Sequence, residues 1–155
     1  MLGLGLLAIV TPRTSHPYLL WNGSPSVPVG LYELVSRPPM RGEMAIIRLA
    51  DPVHALAVVR GYLAGRALLI KPVVAVPGDV VCRHAATVTV NADVVASARD
   101  ADALGRYLPQ WQGCRTLVAG QVFVLSTAPD SFDGRYFGPL NVAQVLGVGR
   151  AIWTR

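Results

Sequence analysis

Short segments rich in valine, isoleucine and leucine recur along this chain, and turns containing glycine or proline separate them. Aliphatic and β-branched side chains pack well on a pleated sheet, so such segments are typical of strands. With 155 residues, of which 52% are hydrophobic and 15% charged, the chain can build one domain with a substantial core. We therefore predict a single, mainly β domain with strands in seven segments: Leu31–Val35, Glu43–Leu49, Leu68–Val76, Asp79–Arg83, Thr87–Val95, Gln121–Ser126 and Val142–Trp153.

One helix and one hairpin have clear local signals. Asp51 is a candidate N-cap, Pro52 suits the first helical position, and Gly65 is a candidate stop. Between them, apolar residues are spaced for one helix face: Val53, Leu56, Val59 and Leu63. The pattern predicts one short helix that packs on one side of the sheet. Residues Asn91–Asp93 interrupt an alternating segment and predict the tight turn of a β-hairpin.

Lys71 is the single lysine of the chain, and thirteen arginines supply every other basic side chain. It lies in the otherwise apolar run from Ala67 to Val76. An ammonium group that is removed from water can lose its proton near neutral pH, whereas a guanidinium stays charged. Lys71 is therefore a candidate general base. The alternative is a strand lysine that extends its amine to water along an apolar surface.

Two further segments carry side chains suited to catalysis. The first, Asn22–Tyr32, places Ser24 and Ser26 among turn-forming residues just before a strand. A hydroxyl in such a turn can be held exposed on a rigid backbone, although most serines in turns only shape the turn. The second segment is Ser131-Phe132-Asp133-Gly134-Arg135-Tyr136. Together with Lys71-x5-Pro77-Gly78-Asp79, the two segments form three motifs in a fixed order.

These three motifs resemble those of the signal peptidase I superfamily of Ser/Lys proteases, and most closely its conjugative-transfer, TraF-type branch. The resemblance extends from Trp21 to the C-terminus, and the spacing from Lys71 to Pro77-Gly78-Asp79 is its most specific part. Ordinary signal peptidases place two residues between nucleophile and proline, where this chain has only Val27. They also carry arginine and glycine where this chain has Pro72 and Ala75. These departures favour the conjugative branch over ordinary leader-peptide specificity.

The resemblance implies a signal-peptidase-like or LexA-like β-barrel-type protease domain over residues 21–155, acting without a metal or other cofactor. Ser26 would be the nucleophile and Lys71 the general base. Lowering the pKa of an amine from about 10.4 to near 8 costs roughly 3 kcal/mol, which an apolar environment can impose. Ser24 would offer its hydroxyl beside the Ser26 backbone N–H as an oxyanion-hole donor. A turn hydroxyl without a catalytic role is the alternative for Ser24.

The resemblance also implies that residues of the third motif orient and support Lys71. Ser131 matches the family serine that hydrogen-bonds the lysine ammonium, and Asp133 with Arg135 matches the acidic and basic pair behind the site. A salt bridge that only braces the loop is an equally open interpretation of that pair. Asp133 could also act more directly in catalysis. The three histidines lie outside the motifs and are interpreted as surface or structural residues: His16, His54 and His84.

Cys82 and Cys114 are the two cysteines, and they lie 32 positions apart with no CxxC motif. A zinc site is not expected. A catalytic domain outside the cytoplasm would mature in an oxidising compartment, so we expect the two to form a disulfide. Closing that loop would contribute on the order of 3 to 4 kcal/mol in the chain-entropy model. Two buried free thiols are the alternative.

The first ten residues are almost entirely apolar, but about twenty are needed to span a bilayer and Thr11-Pro12-Arg13 ends the run. We interpret residues 1–20 as an N-terminal apolar segment that is the remnant of a membrane anchor, and a buried N-terminal segment is the alternative. The net charge of +5 is spread along the chain without a basic run, so no nucleic-acid partner is expected. It suits a domain that lies against an anionic membrane surface.

The function that follows is a serine endopeptidase at the inner membrane, with its catalytic domain facing the periplasm. Its partner would be a precursor polypeptide, such as a pilin of a conjugative type IV secretion system, bound as an extended segment in a groove lined by leucine and valine. One alternative is a self-cleaving repressor-type Ser/Lys protease, although no DNA-binding signature is present. Another is a catalytically inactive periplasmic assembly module.

Overall fold

A computed structural model describes residues 18–155, and two antiparallel sheets dominate it. The larger sheet has seven strands in the order β1-β2-β11-β3-β4-β9-β10, and the smaller has four in the order β7-β6-β5-β8. The strands are β1 Tyr18–Asn22, β2 Gly30–Val35, β3 Met44–Ile47, β4 Leu69–Ala75, β5 Val80–His84, β6 Thr87–Val90, β7 Asp93–Ser97, β8 Gly113–Thr116, β9 Gln121–Val124, β10 Leu140–Asn141 and β11 Val145–Thr154. The prediction of a mainly β domain is confirmed.

Two short α-helices complete the fold: α1 at Val53–Val59 and a single turn, α2, at Gly134–Phe137. A 3-10 helix at Val142–Gln144 precedes β11. Ala57 of α1 is buried in the same apolar cluster as residues of β3, β4 and β9. Helix α1 therefore packs on one side of the larger sheet, as the spacing of its apolar residues predicted.

Helix α1 is shorter than predicted at both ends. Pro52 occupies the N-cap position, and no side chain caps the helix there, so the prediction of Asp51 as N-cap is wrong. At the other end, the Gly61 amide donates to the carbonyl of Val58, and the Tyr62 amide donates to that of Ala57. This pair of bonds is a Schellman motif, which needs a left-handed residue, and Gly61 supplies it with φ of +75°. The helix consequently ends before Gly61 and not at Gly65.

The predicted hairpin joins β6 to β7 through Asn91 and Ala92. Both turn residues have positive φ, 51° and 74°, as a type I′ turn requires. The smaller sheet packs on the larger through a second cluster that includes Val81, Val88 and Phe123. Phe123 is fully buried there, and burying a side chain of that size contributes about 1.5–3 kcal/mol. The two sheets therefore share a core.

Three strands were not predicted: β1, β8 and β10. Strand β8 has the sequence Gly-Cys-Arg-Thr, which lacks an alternating apolar pattern, and it forms by pairing with β5. The predicted domain boundary at Trp21 lies inside β1, which begins at Tyr18. The apolar run of residues 1–10 lies outside the described residues. Within residues 18–155, no helix is long and apolar enough to cross a membrane.

Candidate active site

The serine-rich loop between β1 and β2 is held in shape by Asn22, the last residue of β1. Its amide nitrogen Nδ2 donates to the carbonyl oxygens of Ser24 at 2.9 Å, Val27 at 3.2 Å and Pro28 at 3.0 Å. Its Oδ1 accepts from the Ser24 backbone N–H at 3.1 Å. The Asn22 side chain thus supplies this loop with hydrogen bonds of the kind that backbone groups supply within a helix or a sheet. No motif in the sequence marks Asn22 as a site residue, although asparagine is a common organiser of turns.

The far end of the loop is fixed to the larger sheet. The Tyr32 hydroxyl, on β2, donates to the Pro28 carbonyl at 2.7 Å. Gly30 begins β2, where a Cβ atom would lie 2.0 Å from the Trp153 carbonyl oxygen of β11. Only glycine permits that approach of the two strands. The loop that carries Ser24 and Ser26 therefore starts and ends on rigid strands.

Lys71 lies on β4, opposite Ala45 of β3, and its side chain is buried with 3% exposure. The Nζ atom is 2.6 Å from Ser26 Oγ and 2.8 Å from Ser131 Oγ. Burial lowers the pKa of Lys71 from 10.5 to about 8, the charge of Asp133 raises it, and that of Arg135 lowers it. A neutral amine at hydrogen-bond distance from a hydroxyl can take its proton, so the arrangement permits general-base catalysis.

Asp133 and Arg135 form a buried ion pair behind the lysine. Arg135 Nε donates to Asp133 Oδ1 at 2.8 Å, and both side chains are almost inaccessible to water. Asp133 also caps the N-terminus of α2 by accepting from the Arg135 backbone N–H. Gly134 follows in close contact with β9, where a Cβ atom would lie 2.5 Å from the Val124 carbonyl oxygen. The pair therefore holds the segment that presents Ser131 to Lys71.

Ser24 lies on the open side of Ser26. Its Oγ is 3.1 Å from Ser26 Oγ, and it accepts a long hydrogen bond of 3.4 Å from the Ser26 backbone N–H. That N–H is weakly engaged, since ordinary N–H···O distances are close to 2.9 Å. The Ser24 hydroxyl can rotate and the Ser26 N–H is only weakly held, so both donors are available to an oxygen of a bound substrate, as an oxyanion hole requires.

A groove of about 600 Å³ opens beside these side chains. Lys71, Ser24, Ser26 and Ser131 lie on its wall. The groove was expected to be lined by leucine and valine, and the valines are absent from its lining. Small and aromatic side chains take their place beside leucine and isoleucine: Ala64, Ala67, Ala101, Ala103 and Ala128, with Trp21, Tyr62, Phe132 and Tyr136. The small alanine side chains leave more space in the groove than branched side chains would leave.

The two cysteines do not line this groove and lie on the smaller sheet. Cys82 of β5 faces Cys114 of β8, their Cα atoms are 4.0 Å apart, and their sulfur atoms are bonded. The ring of His84 lies beside them, 3.6 Å from Cys114 Sγ. These three residues are close enough together to be metal ligands, but the disulfide occupies both sulfurs. The sequence position of His84 did not indicate that its ring would lie beside the two cysteines.

Comparison with known proteins assigns the chain to a family. The family described as "Signal peptidase, peptidase S26" matches residues 1–154. The chain belongs to this signal peptidase family. The resemblance predicted from the three motifs is thereby confirmed.

Within this signal peptidase family, the chain is similar to proteins of bacterial plasmid transfer. It is 37% identical over 146 residues to "Plasmid transfer protein TraF" of Escherichia coli, covering 86% of this chain and 81% of the relative. It is 34% identical over 145 residues to "Conjugal transfer protein TraF" of Agrobacterium fabrum, with the same coverage. A crystal structure of signal peptidase I from Enterococcus faecalis aligns with a TM-score of 0.42 and 21% identity, over 74% of this chain and 98% of the other.

Proposed function

We propose that this protein is a serine endopeptidase that uses Ser26 as nucleophile and Lys71 as general base. The observation that carries the proposal is the short contact of 2.6 Å between Ser26 Oγ and the buried Nζ of Lys71. Because the pKa of Lys71 is lowered to about 8, part of the enzyme carries a neutral amine at physiological pH. That amine can serve as the base without a histidine.

The reaction begins when Ser26 Oγ attacks the scissile carbonyl carbon while Lys71 accepts the hydroxyl proton. The carbonyl oxygen becomes an oxyanion, stabilised by the Ser26 backbone N–H and the Ser24 hydroxyl. Lys71 then returns its proton to the leaving amine, the peptide bond breaks, and an ester on Ser26 remains. A water molecule hydrolyses this ester, with Lys71 again taking the proton.

Ser131, Asp133 and Arg135 support this chemistry without forming bonds to the substrate. Ser131 Oγ holds the amine at 2.8 Å and keeps it directed toward Ser26. The negative charge of Asp133 favours the protonated form of Lys71, and the positive charge of Arg135 opposes it. The balance of these charges with burial keeps the pKa near the working range of a base.

The proposed substrate is an extended segment of a precursor polypeptide from a conjugative transfer system, such as a pilin. Two features support it: the names of the relatives refer to plasmid or conjugal transfer, and alanine side chains form much of the groove wall. Small apolar side chains beside the cut would fit such walls. An extended peptide is also the form that a groove beside a sheet accepts most readily.

The proposed location is the outer surface of the inner membrane. Trp21 and Trp153 stack with ring centroids 6.0 Å apart and are 60% and 53% exposed. Tyr18, Leu19 and Ile152 are also exposed on the same two strands, β1 and β11. Exposed aromatic residues of this kind favour the interface between lipid and water. The Cys82–Cys114 disulfide supports an oxidising compartment.

The test of the activity is incubation of the purified protein with candidate pilin precursors, followed by mass measurement of the products. The unmutated protein should release two fragments, and Ser26→Ala should release none. Ser36→Ala is the matched control, because Ser36 is an exposed serine outside the groove. Cleavage by Ser26→Ala at the rate of the Ser36→Ala control would refute the proposed nucleophile. A folded but inactive unmutated protein would favour an assembly module.

The test of the location is co-sedimentation with vesicles of anionic phospholipid. The unmutated protein should sediment with the vesicles, and Trp21→Ala with Trp153→Ala should weaken the association. Tyr107→Ala is the control, because Tyr107 is an exposed aromatic residue on another loop. Equal sedimentation of all three proteins would exclude the tryptophan pair as a membrane contact.

A further inference from the structure

Ser126 is a buried serine that no motif of the sequence singles out. It lies two residues after the end of β9 at Val124 and precedes the turn that leads to Ser131. Its side chain is 2% exposed. A polar group buried to this extent needs hydrogen-bond partners, and the identity of those partners indicates its role.

The backbone of Ser126 is joined to the ion pair behind the site. The Ser126 N–H donates to Asp133 Oδ2 at 2.9 Å. The Ser126 carbonyl accepts from Arg135 Nη2 at 2.6 Å. Both partners are charged and buried, which makes these hydrogen bonds stronger than neutral ones. The position of the Ser126 backbone is therefore set by Asp133 and Arg135.

The hydroxyl of Ser126 points the other way, toward the nucleophile. It donates a short hydrogen bond to the carbonyl oxygen of Ser26 and accepts from the Ala128 N–H at 3.1 Å. Because a carbonyl oxygen can only accept, the single hydroxyl proton of Ser126 is the donor in its contact with Ser26. Ser126 thus links the backbone of Ser26, which lies 100 positions away in the sequence, to the Asp133–Arg135 pair.

The other hydrogen bonds of the nucleophile loop do not hold the Ser26 carbonyl. Asn22 binds the carbonyls of Ser24, Val27 and Pro28, and Tyr32 binds that of Pro28. Among the described residues, Ser126 is the hydrogen-bond donor to the carbonyl of Ser26. Fixing that carbonyl fixes the rotation between Cα and C of Ser26, and with it the direction in which the adjoining Oγ is presented to Lys71.

We propose that Ser126 is a positioning residue, whose hydroxyl fastens the backbone of Ser26 to the Asp133–Arg135 pair and so keeps Ser26 Oγ within reach of Lys71. This inference rests on the proposed function, because it assigns Ser126 a role in that reaction. A misplacement of a nucleophile by about 1 Å can cost on the order of 10²-fold in rate. Ser126 acts through Ser26 and does not touch the reacting atoms.

Three substitutions and a matched control isolate the hydroxyl. Ser126→Ala removes the hydroxyl and leaves both backbone hydrogen bonds in place. Ser126→Cys fills the same space with a weaker donor, and Ser126→Thr keeps the hydroxyl. Thr127→Ala is the control, because it removes an exposed hydroxyl from the next position. If Ser126→Ala fails to fold, the comparison of Ser126→Cys with Ser126→Thr answers the same question.

The expected kinetic result is a fall in kcat for Ser126→Ala of about 10-fold to 10²-fold, with little change in KM. Ser126→Cys should fall in the same direction, and Ser126→Thr should recover most of the rate. Thr127→Ala should match the unmutated protein. Retention of kcat within about twofold by a folded Ser126→Ala would overturn the proposal.

A second measurement does not depend on activity. Because Lys71 is the single lysine of the chain, protein labelled with ¹³C at lysine Cε gives one side-chain NMR signal for the base. Asp133, Arg135, Ser26 and Ser131 are the charged and hydrogen-bonding groups around its amine. Displacement of the Ser26 loop would admit water, so the midpoint of this signal's pH titration should rise in Ser126→Ala and remain unchanged in Thr127→Ala.

The two measurements separate this inference from the proposed function. If the unmutated protein cleaves no precursor, the proposed function fails and the titration alone decides the role of Ser126. A raised midpoint in Ser126→Ala would then support positioning of the loop, and an unchanged midpoint in the folded variant would overturn it.

Discussion

Each of the two sheets carries one buried basic side chain on a strand, and the two side chains have different hydrogen-bond partners. Lys71 on the larger sheet is 3% exposed, and Arg83 on the smaller sheet is fully buried. Lys71 contacts two hydroxyl groups that can exchange protons with it. Arg83 contacts carbonyl oxygens, which only accept: Nη1 bonds Arg135 at 2.6 Å, and Nε bonds Ala85 at 3.0 Å. Burial lowers the pKa of both.

The same physical effect therefore acts on the proposed base of the larger sheet and on a fixed support of the smaller sheet. A lysine starts from a pKa of 10.5, so burial takes it to about 8, where the neutral form is populated at physiological pH. An arginine starts so high that it stays charged after the same treatment. Arg83 consequently acts as a permanent donor that fastens the smaller sheet to α2, where Trp111 Nε1 also donates to the Gly134 carbonyl at 3.0 Å.

The largest effect expected is for Lys71→Arg, which keeps the charge and the aliphatic stem. Cleavage should fall by at least about 10⁴-fold, because guanidinium does not release its proton to act as a base. Mass measurement of precursor cleavage tests the rate, and thermal unfolding tests the fold. Near-normal cleavage by a folded Lys71→Arg would end the distinction drawn between Lys71 and Arg83.

The pH dependence of cleavage also tests Lys71 as the proposed base. The neutral amine is the active form, and its fraction grows as pH rises through a pKa of about 8. For the unmutated protein, kcat/KM should therefore rise about tenfold per pH unit well below that value and level off above it. A profile that falls over this range would contradict a lysine base.

The next largest effect is expected in the smaller sheet, as a decrease in the stability of the protein. Replacing Cys82 and Cys114 together by serine should lower the free energy of unfolding by about 3 to 4 kcal/mol, because the open loop regains entropy in the unfolded chain. Urea unfolding measures the loss, and unreduced peptide mapping should find the two cysteines linked in the unmutated protein. Below its unfolding transition, the variant should keep kcat. A large loss of kcat in the folded variant would show that the smaller sheet also shapes the reactive site.

In the loop between β1 and β2 of the larger sheet, Ser24→Ala should lower kcat by about 10²-fold to 10³-fold, as the loss of one oxyanion-hole donor does in other serine enzymes. The cleavage assay measures the effect, and Ser26→Ala should be much less active. Residual activity in Ser26→Ala with none in Ser24→Ala would exchange the two roles.

The smallest effect expected is for Arg83→Lys. A lysine keeps the charge but cannot reproduce the planar set of donors, so one or more buried carbonyls lose their partner at a cost of about 1–3 kcal/mol. Urea unfolding tests the cost, with cleavage measured at a temperature where the variant is folded. Activity within a few-fold of the unmutated protein is expected. Unchanged stability would mean that Arg83 is not the support described above.

Local features of the sequence were sufficient for several parts of the protein. The alternating segments predicted the mainly β fold, and Asn91 marked the hairpin turn because its backbone conformation is set by neighbouring residues. The apolar run around Lys71 predicted a buried amine with a lowered pKa, since burial depends on the hydrophobic neighbours along the strand. The order and spacing of the three motifs predicted the family.

Tertiary structure decided the features that depend on contacts between distant segments. Lys71 reaches Ser26 and Ser131 across 45 and 60 positions, and no local pattern encodes those distances. Helix α1 ends before Gly61 because of backbone hydrogen bonds that its apolar spacing does not reveal. The roles of Asn22 and Ser126 depend on which carbonyl oxygens the folded loops bring to them. The sequence by itself determined most of the strand segments and the candidate residues of the three motifs, since these depend on near neighbours and on motif spacing. Strands such as β8 and all of the hydrogen-bond partners depend on pairing between distant segments, so only the tertiary structure decided them.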